Sequence, residues 1–149
     1  MKLQRDLREF IASLISKRVE FVVVGAHALA YHGHPRFTQD LDVLVRPTAA
    51  NAAALMAALE DFGFGDSGLG PADFTRTGRV IQLGVAPNRI DLLTSITGVD
   101  FEEVWRTRVQ GELDGLHVSF IGRDALIANK RATGRPQDVA DVATLERRR

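Results

Sequence analysis

"VGAHALAYHGHPRFTQDLDVLV", Val24 to Val45, is the stretch that decides how this chain is read. It closes with Asp40 and Asp42 inside an otherwise apolar run. Charges on a buried strand need compensation, so the first question is what holds this pair. Side chains alternate along a strand, which puts both aspartates on one face. Leu41, Val43 and Val45 take the other face and can reach the core. Two neighbouring carboxylates repel when both are ionised; such a pair raises one pKa or recruits a cation. Ligands that are all oxygen favour Mg²⁺ or Mn²⁺ over Zn²⁺. The competing reading is structural: ion pairs with Arg36 and Arg46, or caps on local turns.

Upstream, "EFVVVG" (20–25) is a β-branched run ending at a glycine, and predicts a buried strand. "AHALAYHG" (26–33) is alanine-rich and stops at Gly33, as a short helix does. Gly25 therefore sits where a strand becomes a helix, a junction whose free backbone N–H groups suit a phosphate. An ordinary strand-to-helix turn explains an isolated glycine equally well. Before it, Leu3, Leu7, Phe10, Ile11, Leu14 and Ile15 have helical spacing.

Downstream, "PTAANAAALMAALEDFGFG" (47–65) predicts a helix begun by Pro47 and ended by Gly63 or Gly65, and 66–78 a loop. "RVIQLGV" (79–85) and "RIDLLTSI" (89–96) predict a hairpin across "APN". The second strand carries Asp91 between Ile90 and Leu92. If it lies beside 39–45, three carboxylates converge; alternatively Asp91 pairs with Arg89 or Arg79. A helix over 101–109, a hairpin in 112–121 turning at Asp114-Gly115, and helices over 123–133 and 135–148 complete the chain. The fold class expected is mixed α/β (α+β): one domain over 1–149, a small mixed sheet flanked by helices.

The bulk composition narrows the classes. Lys plus Arg and Asp plus Glu number 19 each, so zero net charge argues against a large sequence-independent RNA surface. With no cysteine, disulfides and thiolate metal sites are excluded, and a cytoplasmic setting is expected. No apolar run reaches the roughly 20 residues of a membrane span, and the N-terminus is too charged for a secretory signal. His27, His32 and His34 are spaced so that they do not share one helical face, which speaks against zinc.

Val24-Gly25-Ala26, thirteen residues, then Asp40-Leu41-Asp42-Val43, with Asp91 later, resembles the nucleotidyltransferase fold of the DNA polymerase beta superfamily. "HALAYHGHPRFTQDLDVLV" and "LIANKRATGRPQDVADV" (126–142) are similar to small prokaryotic members of the abortive-infection and toxin type. The resemblance implies an NTP substrate and Mg²⁺ or Mn²⁺ on Asp40, Asp42 and Asp91, with Asp91 as third ligand or general base. It implies triphosphate contacts from Gly25, Ala26, Thr38 and Lys130, with Arg131 and Arg135 as secondary candidates. Thr38 has a second reading, orienting Asp40; Lys130 has one as a solvated helix lysine, and Asp138 as a helix-dipole residue. The acceptor implied is a tRNA end, another RNA, a protein hydroxyl or a small molecule, with an antitoxin or a second subunit as possible partner. Ala26 stands where many active members have Ser or Gly; it keeps the N–H and loses a hydroxyl. The alternative is therefore a catalytically weak nucleotide-binding or toxin–antitoxin partner protein.

Overall fold

The computed structural model describes residues 3–35, 38, 40–63, 68–84 and 89–147. Helix α1 (Arg5–Ser16) buries Leu7, Phe10, Ile11 and Leu14 and leaves its charged face outside. Strand β1 (Phe21–Val24) has all four side chains buried, as expected of a strand with neighbours on both edges and cover on both faces. It passes directly into α2 (Gly25–Tyr31). Strand β2 (Asp40–Val45) follows, then α3 (Ala49–Asp61). After a 3₁₀ turn at Pro71–Phe74 come β3 (Val80–Leu83) and β4 (Arg89–Leu93). Helix α4 (Phe101–Thr107), the hairpin β5 (Val109–Leu113) and β6 (Leu116–Phe120), and helices α5 (Arg123–Thr133) and α6 (Pro136–Arg147) finish the order.

The six strands form one mixed sheet in the order β3-β4-β2-β1-β6-β5. β1 pairs antiparallel with β2, and β2 runs parallel to β4. β1 also runs parallel to β6, and both hairpins, β3–β4 and β5–β6, form as the turn signals predicted. The mixed α+β fold expected from the sequence is the one observed. Among the described residues, no helix is long and apolar enough to cross a membrane.

Two local expectations change. Thr48, not Pro47, starts α3: its hydroxyl accepts the Asn51 N–H at 3.3 Å, which a proline has no group to do. The stretch 66–78 holds a helical turn because Pro71 fixes φ and Phe74 is drawn fully into the core. "APN" and Arg36 lie outside the described residues, so the hairpin's connection and one proposed ion-pair partner do too.

Asn51 is the one polar side chain of α3 that is buried. It accepts from Glu20 N at 2.7 Å and donates to Glu20 O and Arg46 O, both at 3.0 Å. This clip ties the start of β1 to the end of β2. The two strands that carry Gly25 and the aspartates are thereby fixed in register, with Val24 opposite Asp42.

Candidate active site

Parallel pairing sets Asp40 opposite Arg89 and Asp42 opposite Asp91. Each strand contributes residues two apart, so the four side chains share one face of the sheet. The three carboxylates expected to converge do lie on neighbouring strands. Leu41, Val43 and Val45 are fully buried on the opposite face, as predicted, and Leu44 is buried too.

Arg89 supplies part of the compensation. Its guanidinium donates from Nε and Nη2 to the two Asp91 oxygens, each at 3.1 Å, and Nε lies 3.8 Å from Asp40 Oδ1. Of the other basic residues considered, the two that are described are committed elsewhere. Arg79 pairs with Asp73 at 3.1 Å, and Arg46 pairs with Glu20 and Glu102. Asp42 is left among negative neighbours, with Arg89 opposing them only weakly. Burial first, then the charges of Asp91 and Asp40, push its pKa up to about 6. Among the described residues, no three His, Asp or Glu side chains already stand as a metal-holding group. Both Asp91 oxygens accept from Arg89, which takes up part of that carboxylate's capacity to ligate in this arrangement. The donor set itself fits a hard divalent ion: three carboxylates on one face, one of them only weakly opposed by positive charge among the described residues.

Gly25 is required twice over. Its φ is +68°, a region L side chains avoid, and a Cβ there would run into the Asp42 carboxylate. The sequence suggested a phosphate turn; the structure adds that the missing side chain makes room for Asp42. Gly25 and Asp42 open into a cleft of about 430 Å³, shared with Ser95, Asn129, Lys130 and Arg135. Val80, Leu93 and Ile96 give it an apolar side. Ala26 occupies the first turn of α2 and is half-buried.

Thr38 takes its second reading. Its hydroxyl accepts from Asp40 N and donates to Asp40 O, both at 3.2 Å, which holds the start of β2. His27 is buried, its pKa lowered by that burial against a backbone hydrogen bond with Asp40. His32 Nε2 bonds to Ile121 O at 2.8 Å.

Lys130 is not a solvated lysine. It is buried, 2.9 Å from Asp141 and 3.6 Å from Asp138. Asp138 does more than complement a helix dipole. It is 1% exposed and accepts from Thr133 Oγ1 at 2.7 Å and Arg135 Nε at 2.7 Å. These bonds hold its pKa well below the usual carboxylate range. Arg135 keeps most of its side chain in solvent, so it is the more available cation on that wall. Arg131 pairs with Glu146 at 2.6 Å at the surface. Ser95 and Asn129 were not anticipated. The signal for Ser95 was its place just after β4, beside the strand that carries Asp91.

Residues 1–146 match a family described as nucleotidyltransferase of unknown function (DUF6036). The chain belongs to this nucleotidyltransferase family. Among solved structures, the chain is similar to a provisionally assigned nucleotidyltransferase from Thermotoga maritima at 16% identity. The match has a TM-score of 0.61 and covers 96% of this chain and 89% of that one. It is also similar to an antigenic nucleotidyltransferase-like protein from Paracoccidioides brasiliensis at 15% identity, with a TM-score of 0.52 and coverage of 96% and 77%. At these identities the likeness is one of fold, and the fold is that of nucleotidyltransferases. No functionally curated protein matches the sequence.

Proposed function

We propose that this nucleotidyltransferase-family protein moves a nucleoside monophosphate from an NTP to a hydroxyl of an RNA, a protein or a small molecule: the hydroxyl oxygen bonds to the α-phosphorus as it loses its proton, and the bond to the β-phosphate breaks to release pyrophosphate. Mg²⁺ or Mn²⁺ would be held by Asp40, Asp42 and Asp91. The supporting observation is Asp42. It faces Asp91 across two parallel strands, abuts Gly25, lines the cleft, and has a pKa raised to about 6 by burial and by the charges of Asp91 and Asp40. A divalent ion bound there would screen triphosphate charge and acidify the attacking hydroxyl. The chain's own part is positioning. Thr38 fixes the backbone of Asp40, the Asn51 clip fixes β1 against β2, and Gly25 leaves room for the Asp42 carboxylate. Gly25 and Ala26 offer backbone N–H groups at the start of α2 for triphosphate oxygens. Across the cleft, Arg135 is the residue placed to meet phosphate, and Lys130 braces the wall that carries it.

Ala26 favours a second reading, a nucleotide-binding partner protein with weak turnover, since the turn has lost the side-chain hydroxyl of a Ser. The test supplies each α-labelled NTP with Mg²⁺, total RNA and cell lysate, with Asp42→Asn as control. Label transferred by wild type alone supports the enzyme. Tight nucleotide binding by calorimetry without transfer supports the second reading. Neither binding nor transfer overturns both.

A further inference from the structure

The same carboxylate face holds a residue that its proposed chemistry does not use. Arg89 shares the face with Asp40, Asp42 and Asp91, and its fork closes on both oxygens of Asp91. Bidentate guanidinium–carboxylate pairs are directional and use the lone pairs a metal ion would take. Arg89 is also within 3.8 Å of Asp40, so it bridges two of the three proposed ligands.

We infer that Arg89 is a resident counter-cation that competes with the divalent ion for Asp91 and sets how much metal the site needs. This rests on the reading of Asp40, Asp42 and Asp91 as metal ligands. Two arrangements compete: Arg89 forked on Asp91, or Asp91 turned to a metal ion. The side chain is about one-third exposed, at 34%, so it has solvent to swing into when released. Its removal acts in one direction through two causes. It frees the Asp91 lone pairs, and it removes a positive charge that repels an incoming cation.

The arithmetic is that of a site competent only part of the time, where apparent affinity falls by the competent fraction. If Arg89 holds Asp91 about nine-tenths of the time, its loss tightens metal binding about tenfold. Arg89→Lys keeps the charge without the fork, so it gains less than Arg89→Met.

The experiment measures Mn²⁺ binding by electron paramagnetic resonance on wild type, Arg89→Met, Arg89→Lys and Asp42→Asn, each first checked for cooperative melting. Expected is Mn²⁺ binding to wild type that Asp42→Asn abolishes, about tenfold tighter binding to Arg89→Met, and an intermediate gain for Arg89→Lys. Wild-type binding that is unchanged or weakened in Arg89→Met overturns the competition and leaves the metal reading standing. No Mn²⁺ binding by wild type or by either Arg89 variant overturns both. If Arg89→Met does not melt cooperatively, a second measurement decides. Mg²⁺ added to wild type should speed solvent exchange of the Arg89 Nε–H, and an unchanged exchange rate overturns the proposal.

Discussion

Two acidic groups border the same cleft and behave in opposite ways. On α6, Asp138 and Asp141 are matched by Lys130, Arg135 and the Thr133 hydroxyl, and Asp138 is held ionised well below the usual carboxylate range. On β2 and β4, three carboxylates share one arginine among the described residues, and Asp42 is pushed up to about 6. Asp138 and Asp141 are the more buried of the two groups, with Asp40 and Asp42 only half-buried, yet it is Asp138 that stays ionised. What separates them is how much opposite charge the described residues supply. A carboxylate the chain has already neutralised is part of the framework. One it has left short of positive charge is a candidate for chemistry.

Substitutions that remove one charge from each group test that contrast. The largest expected effect is on turnover. Asp42→Asn should lower nucleotidyl transfer about a thousandfold or more, read as the rate of label incorporation. Asp138→Ala should come next. It leaves Lys130 with Asp141 alone and removes the buried acceptor of Thr133 and Arg135, and should cost about 3 kcal/mol of stability in urea unfolding. Because its folded pKa is depressed, that contribution is present above the unfolded carboxylate pKa. It is lost as pH falls toward the folded value.

The third prediction has the opposite sign. Asp42 has a folded pKa raised from 3.8 to about 6. The stability held with Asp42 protonated is therefore lost as pH rises through about 6. In EDTA at neutral pH, Asp42→Asn should be about 2 kcal/mol more stable than wild type, and its stability should vary less between pH 4 and 7. A gain in stability with a loss of turnover is the expected mark of a functional carboxylate. Smallest of all, Arg131→Ala removes a surface pair with Glu146 and should change unfolding by less than about 0.5 kcal/mol.

Parts of this contrast were legible in the sequence. Alternation placed Asp40 and Asp42 on one face, and apolar flanks marked Asp91 as a strand residue, because both signals are local. Which residue of 89–96 lies opposite Asp42 was not legible. Register between strands about fifty residues apart is set by three-dimensional packing. The same holds for the choice between Arg79 and Arg89, which depends on the two residues of β4 that share a face. The apolar stripe of α5 located Lys130 but not its neutralisation. Asp141 reaches it only because the chain turns at Gly134, with φ +63°, and packs α6 back on α5. Asn51, in an alanine-rich helix, had no signal to distinguish it from a solvated residue, yet it joins β1 to β2.

The distinction between the two acidic groups is tested most directly by carboxylate carbon NMR of the aspartates, titrated in EDTA and then with Mn²⁺. The expected result is an Asp42 midpoint near 6, an Asp138 signal that stays ionised far into acid, and Mn²⁺ broadening strongest at Asp40, Asp42 and Asp91. Broadening strongest at Asp138 and Asp141, or an Asp42 midpoint at the ordinary carboxylate value, would contradict it.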